Sequence, residues 1–458
     1  RAGAVIALPK LSHGRLLATV MSWIVLLGYL TSAPAEATAV VTYANNYLPG
    51  LVGTAGTLSH EGFLVAAGLL LAFALINTMA IRLVLRVNAW VTIWKLAIPV
   101  LTILAFLAAR FHPANFTAHG FAPQGITGIF SAVATSGVIY AYTGFRQAVE
   151  LAGESANPRR DLPVAIIGSV LAGFLIYAGL QIAFIGALRP GDLAHGWNGL
   201  HFTGVSGPFA GLATVIGMSW LAVLLYIDSA ISPAGTAIIA FTSTPRLFFA
   251  AGHEGLVRGP FARVSRAGVP IIGVAITFLV GVVFLLPLPS WRAIIKVVSA
   301  AALLSYGMAS VSLVTLRRTM PPEQYPRPFR LIFGVPVAAL SFIVANFIIV
   351  WTGARTADVI LGYVLVVAIL YGTWQAVRHR GLGHLEWRGA WWLAPYYGGM
   401  WLLANIGPQA LTHGNGLLSN LGLSVLLVAF SLAILAIAAR SGLPDPREAK
   451  ASLQSTST

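Results

Sequence analysis

The sequence has no cysteine. That excludes disulfides, thiolate metal sites and cysteine nucleophiles. Charge is scarce as well: Asp, Glu, Lys and Arg together make up 9% of 458 residues, against roughly 25% in a typical soluble domain. So low a value excludes a soluble globular protein, a coiled coil and a disordered chain. No His-Glu-x-x-His, Gly-x-Ser-x-Gly or Walker-like segment is present, and the ten histidines fall mostly in loops. An enzyme is therefore not expected, nor a metal or other cofactor. What the chain has in abundance is apolar surface: 57% of residues are hydrophobic and the mean hydropathy is +0.83. The class that remains is an all-α polytopic membrane protein.

A spanning helix needs about 20 predominantly apolar residues. Such runs recur at 16–40, 62–81, 89–109, 125–145, 162–188, 208–240, 269–286, 291–316, 335–353, 358–377, 389–406 and 417–439. Twelve spans are therefore expected. Between Gly389 and Ala439 there is no Lys, Arg, Asp or Glu, and Gly407, Pro408 and Gly414 supply the break that makes two helices of that stretch.

The 28 basic residues outnumber the 13 acidic ones, a net +15. In a soluble protein that surplus would suggest a nucleic-acid partner. Here it follows topology. With residues 1–15 in the cytoplasm and the spans alternating, Lys10, Arg15, Arg82, Arg86, Arg159, Arg160, Arg246, Arg263, Arg317, Arg318, Arg388 and Arg440 are all inside. Only Arg110, Arg189, Arg292 and Arg355 fall outside. The bias supports both the count and the orientation, with the N-terminal end of this chain and the C-terminus cytoplasmic. Charges scattered over separate cytoplasmic segments do not make a nucleic-acid surface. Trp387, Trp391, Trp392, Tyr396, Tyr397 and Trp401 cluster at span ends as an interfacial belt would. The tail 441–458 is polar, with Pro444 and Pro446, and is expected to be disordered.

An ionisable side chain at the bilayer centre costs about 2.5–3.5 kcal/mol or more, so those present are candidates for function. Glu36 lies in the first span, Lys95 in the third, Arg146 and Glu150 at the end of the fourth, Asp228 in the sixth and Lys296 in the eighth. Each has a bland alternative. Glu36 is near a span end and could be solvated. Lys95 could snorkel to the interface. Arg146 could pair with Glu150 one turn on. Lys296 reads better as a gate or interface residue. Asp228, beside Ser229 and Ser232, is the hardest to explain as structure. The fourth span also carries Tyr142-Thr143-Gly144-Phe145, where a mid-run glycine permits a helix break that exposes backbone groups to a ligand. Glycine also serves helix packing, so alone it is a weak signal.

At this point the residues resemble a family. The stretch from Tyr142-Thr143-Gly144-Phe145 through Ala152-Gly153-Glu154 to Asn157-Pro158-Arg159-Arg160 and Pro163 resembles the sixth helix and following loop of amino acid–polyamine–organocation (APC) permeases. Gly252-His253-Glu254-Gly255 through Phe261 to Pro270 resembles the loop after their eighth helix, and Arg327-Pro328-Phe329-Arg330 the loop after their tenth. The resemblance runs from Arg1 to about Gly353. It implies two inverted five-helix repeats, with substrate bound where the first and sixth helices unwind. Since the family's sixth helix matches the fourth span here, the motif order implies that two helices precede Arg1, which is not a Met. The expected organisation is then a cytoplasmic loop over 1–15, an incomplete permease core over 16–353, extra helices over 354–440 and a tail.

The resemblance also implies site roles. Tyr142, Thr143, Gly144 and Phe145 would bind substrate at the sixth-helix break. Lys95 matches a lysine that replaces a sodium ion in proton-coupled members, with Asp228, Ser229 and Ser232 facing it and Glu36 an alternative proton carrier. Most members have an acidic residue where this chain has Arg146, which argues against a cationic substrate and for an anionic one held by Arg146, with Glu150 in support. The expectation is a proton-coupled symporter for an acidic amino acid in the cytoplasmic membrane, with the amino acid, protons and lipid as its partners. An exchanger is the alternative, and a channel or nutrient sensor on the same scaffold a more distant one.

Overall fold

A computed structural model describes residues 4–53, 56–78, 81–150, 155, 157–200, 202, 207–253, 265, 269–286, 290–320, 329, 331–379 and 386–443, the side chains of 81–88, 150, 253, 378 and 379 apart. The loop motifs around Glu154, Glu254 and Arg327, and the tail beyond 443, lie outside the described residues.

The apolar runs become helices, because a backbone in lipid must satisfy its own N–H and C=O groups. In order they are α1 (Ala4–His13), α2 (Arg15–Ala44), α3 (His60–Thr78), α4 (Ile81–Ala109), α5 (Gly125–Thr135), α6 (Val138–Ala141), α7 (Arg146–Glu150), α8 (Pro158–Ala187) and α9 (Pro208–Val215). There follow α10 (Ser219–His253), α11 (Ile271–Leu285), α12 (Trp291–Thr319), α13 (Gly334–Trp351), α14 (Ala354–His379), α15 (Trp387–Ala390), α16 (Leu393–Ile406), α17 (Gln409–Thr412) and α18 (Asn420–Ser441). An antiparallel bridge between Val52 and Leu58 is the extended pairing among the described residues.

Every apolar run coincides with a helix, but not every helix is long enough to cross. Among the described residues nine qualify by length and composition, or ten when the bent pair α5 and α6–α7 counts as one. The two remaining runs are short. α11 has 15 residues and α16 has 14, about 21–23 Å at 1.5 Å per residue, against a hydrocarbon core of about 30 Å. α16 is preceded by the separate turn α15 and ends at Gly407-Pro408. The run 208–240 divides too: Gly217, at φ 84°, separates α9 from α10, and α10 continues to His253.

The bundle is built around α2. Of its most apolar 18-residue stretch 89% is buried, whereas none of α8's is. Residues of α2 enter three of the four apolar clusters, against α12–α14, α16 and α18, against α3, α10 and α11, and against α1 and α10. Small side chains allow this close approach: Ala33, Ala35 and Ala37 on α2, and Ala300, Ala301 and Ala302 on α12, are all buried. The hydroxyls of Thr19, Ser22, Thr31, Thr38 and Thr42 each donate to the carbonyl one turn back, so they need no partner elsewhere. Polar ties link other helices. Asn77 of α3 donates to the Ile238 carbonyl of α10 at 3.1 Å. Asn346 of α13 donates to Ser431 of α18 at 2.9 Å and accepts from Tyr396 of α16 at 2.8 Å.

The end of the bundle that carries α1 is fastened by a fully buried histidine. Nε2 of His13 lies 2.9 Å from the carbonyl of Ala438 in α18. A carbonyl only accepts, so Nε2 carries the proton, and Nδ1 accepts from Ser12 Oγ at 2.8 Å. The amide of Leu443 donates to the Ser12 carbonyl at 2.9 Å, and a Cβ at Gly389 would strike the His13 carbonyl. Glu386 adds a cap in trans, accepting from the Arg15 amide at the start of α2 at 2.6 Å. His13 precedes the first span, and burial lowers its pKa from 6.5 to about 4. The unfolded chain therefore binds the proton first as pH falls. The stability from neutral His13 is present in full above pH 6.5 and is lost between 6.5 and about 4, on the order of 3 kcal/mol. Purified protein is expected to lose thermal stability over that window. In His13→Gln, which can still donate to Ala438, the fall should be smaller. Identical pH profiles would remove His13 as the cause.

Candidate functional site

The fourth apolar run leaves the α-helix twice. α5 stops at Thr135, and Gly137 takes the left-handed conformation at φ 85°, open to glycine without the usual cost. The two arms of the span, Gly125–Thr135 and Val138–Val149, are bent by 51°. One turn on, Thr143–Phe145 forms a 3₁₀ turn before α7 begins at Arg146. The break expected at Tyr142–Phe145 is thus the second of two, and the 51° bend falls at Gly137. The 3₁₀ turn is braced by its neighbours: Thr143 donates to the Tyr140 carbonyl at 2.8 Å and Tyr177 of α8 to the Ala141 carbonyl at 3.2 Å. The Tyr142 and Tyr177 rings meet edge-on at 5.3 Å. Gly144 faces open space, with nothing within 4 Å of where a Cβ would stand.

Arg146 is buried, 7% exposed. Its guanidinium lies over the rings of Tyr29 of α2, at 4.8 Å, and Tyr306 of α12, at 5.9 Å. Its Nε donates to the Thr143 carbonyl at 3.3 Å. The Glu150 side chain lies outside the described residues.

Glu36, Lys95 and Asp228 come from three helices, and each has its own hydrogen-bond partner. Glu36 is 7% exposed, so a solvated span end does not describe it. It accepts from the Tyr140 hydroxyl of α6 at 2.6 Å. Lys95 does not reach for the interface; it donates to Thr236 of α10 at 2.5 Å. Asp228 accepts at one oxygen from Trp94 at 2.9 Å and from Ser232 at 2.5 Å. Glu36 and Asp228 both lie within electrostatic reach of Lys95. Gly235 makes this approach possible, since a Cβ there would collide with Val91 of α4. Ser229 is turned to the Tyr226 carbonyl at 2.6 Å, and Pro233 cannot donate to the Ser229 carbonyl. Asp228, Ser229, Ser232 and Pro233 line a cavity of about 280 Å³ with Tyr43, Pro99 and Phe209; Glu36 and Lys95 are not among its lining residues. A larger apolar cavity of about 1320 Å³, between α14 and α16, contains none of them. Lys296 is half-buried and is not part of the cluster.

Trp94, Thr236, Tyr140 and Gly137 escape a reading that looks for ionisable residues. A signal existed for one of them. Asp228, Ser232 and Thr236 fall at i, i+4 and i+8, one face of α10, and Thr236 is the residue Lys95 finds. Tyr140 and Gly137 carry no comparable pattern. No group of three or more His, Cys, Asp or Glu that could hold a metal ion occurs among the described residues.

A multi-pass helical bundle with a doubly broken span beside buried and half-buried ionisable side chains is the architecture of a membrane transporter. The chain matches the amino acid permease family over residues 1–374 and belongs to it, within the APC superfamily. It is 34% identical to the aspartate-proton symporter of Bacillus subtilis (strain 168) over 97% of this chain and 85% of that protein. It is 33% identical to the glutamate/serine transporter AimA of the same organism, over 89% of this chain and 76% of that one. The branched-chain amino acid permease BcaP of that organism is 26% identical, over 81% and 78%. The first of these similarities runs well past Gly353, so the last helices share it.

Gly137→Ala tests the bend at Gly137. The new Cβ would stand 3.2 Å from Ile295 and force a side chain into the left-handed region, for about 1–2 kcal/mol. A lower melting temperature is expected, with no such loss in Gly144→Ala, whose site is open. Equal melting temperatures for the two would contradict the strain argument.

Proposed function

We propose that the protein is a proton-coupled symporter for acidic amino acids in the cytoplasmic membrane. The observation that carries the reading is the approach of Glu36 and Asp228, from two helices, to within electrostatic reach of Lys95 on a third. With one of the two carboxylates protonated, the set is neutral while Lys95 holds its proton and carries −1 once Lys95 has released it. Burying a net charge costs more than burying a neutral set, so such a cluster favours binding one proton whenever water is excluded. Lys95 is the group we assign to release and accept it, with Glu36 and Asp228 the alternative carriers.

Tyr142, Thr143, Gly144 and Phe145 are the proposed substrate segment. Backbone N–H groups at the break would meet the substrate α-carboxylate. Arg146 would bind the second carboxylate, since a guanidinium and a carboxylate match in charge and in donor geometry. Ser229, Ser232 and Glu150 support these groups. The names of the aspartate-proton symporter and of the glutamate/serine transporter favour an acidic substrate. The proposed frame is twelve membrane-crossing helices in this chain, a permease core over 16–353 built as inverted repeats, and helices over 354–440 packed beside it. Basic segments and both ends of the chain would face the cytoplasm.

Exchange of two amino acids without a proton is the second reading. Proteoliposomes loaded with or without internal amino acid separate the two, since an exchanger takes up label only against internal substrate. Under the symport reading, Lys95→Ala abolishes uptake driven by a pH gradient. Wild-type coupling in that variant would take Lys95 out of the mechanism. Arg146→Ala should weaken aspartate uptake at least tenfold more than that of a neutral amino acid, the scale of a lost charge-assisted hydrogen bond. Equal losses would refute the acidic-substrate assignment.

A further inference from the structure

Tyr306 of α12 touches both residues at the exit of the 3₁₀ turn. Its ring centroid lies 5.2 Å from that of Phe145 and 5.9 Å from the Arg146 guanidinium. The Tyr29 ring lies 4.8 Å from the same guanidinium. Gly28 leaves the room required: even a methyl group there would stand 3.5 Å from Arg146 Nη1, so a larger side chain would occupy the guanidinium's place. With Nε on the Thr143 carbonyl at 3.3 Å, the guanidinium is fixed in direction by contacts from α2, α12 and the turn itself. Aromatic faces attract a guanidinium without adding negative charge, so this hold leaves the two rings neutral.

The Tyr306 hydroxyl is a separate observation. It is buried, and it has no hydrogen-bond partner among the described residues. Buried hydroxyls are normally paired, and one left open beside a cation is a donor in need of an acceptor. The open space at Gly144 lies one residue from the Phe145 ring that Tyr306 contacts.

We propose that Tyr306 determines specificity at the broken span: its ring holds Arg146, and its hydroxyl is a second donor to the side-chain carboxylate of an acidic amino acid. The inference rests on the assignment of Arg146 to that carboxylate. A carboxylate offers two oxygens, one for the guanidinium and one for the phenol. A neutral side chain gains little from either group, so the pair discriminates by charge.

The experiment measures uptake of aspartate and of serine by purified protein in proteoliposomes, for wild type, Tyr306→Phe, Tyr306→Leu and Arg146→Ala. Phe keeps the ring and removes the hydroxyl. The expected result is an increase of about tenfold in the KM for aspartate, with the serine KM and both maximal rates near wild type. Leu removes the ring as well and should weaken aspartate further. An unchanged aspartate KM in Tyr306→Phe overturns the proposal, and so do equal losses for aspartate and serine, which would mark a purely structural residue. Arg146→Ala separates the two levels. A selective loss of aspartate uptake there, with none in Tyr306→Phe, overturns the role of Tyr306 alone. Equal losses in Arg146→Ala overturn the assignment of Arg146 and the proposal with it.

Discussion

A carboxylate in the most deeply buried helix is the constraint on which the rest of this structure turns. Glu36 sits in α2 at 7% exposure, with packing on all sides of that helix. The hydroxyls of Thr19, Ser22, Thr31, Thr38 and Thr42 bond back to the α2 backbone, but a carboxylate cannot, because ionised it has nothing to donate. Its needs must be met from neighbouring helices. Tyr140 supplies the hydrogen bond and Lys95 the opposite charge. Two neighbouring elements, α6 and α4, are thereby fixed relative to the axis of the bundle.

α4 is in turn held to α10. Lys95 bonds to Thr236, and the neighbouring Trp94 bonds to Asp228, so two consecutive residues of α4 reach two residues two turns apart on α10. Gly235 removes the side chain that would keep the helices apart. Packing and electrostatics agree here: the contact that brings the charges together is the one a small residue allows. Removing one partner from such a set leaves an uncompensated buried charge, which costs more than the intact set contributes.

Much of this was legible in the sequence, and what was missed follows a pattern. Apolar runs marked the long helices because lipid imposes one rule on all of them, but not α1, which forms in the stretch 1–15 expected as a loop. Their count as crossings was less secure, since α11 and α16 are apolar enough but stop short. Glu36, Lys95 and Asp228 stood out as ionisable residues in apolar runs, and the structure brings these three together. Their hydrogen-bond partners did not stand out, because tryptophan, tyrosine and threonine are ordinary in membrane helices. The break at Gly137 was hidden because a left-handed glycine and a packing glycine look alike in a sequence. Arg146 was visible as a charge, but its contacts with the Tyr29 and Tyr306 rings depend on two helices far away along the chain.

The two departures from α-helix divide the work of the fourth run. Between Gly137 and the 3₁₀ turn lies α6, four residues long, too short to be a stable helix by itself. It is held from outside, by Tyr140 on Glu36 and by Tyr177 on the Ala141 carbonyl. Beyond the turn, Arg146 and Phe145 are fastened to α12 through Tyr306. Under the proposed reading these two attachments report on different things. The first ends on a group that a proton can neutralise, the second on a group that an anionic substrate can engage. Because both act on the ten residues from Gly137 to Arg146, a proton at one end and a substrate at the other bias the same short segment. That is the physical requirement for coupling one to the other.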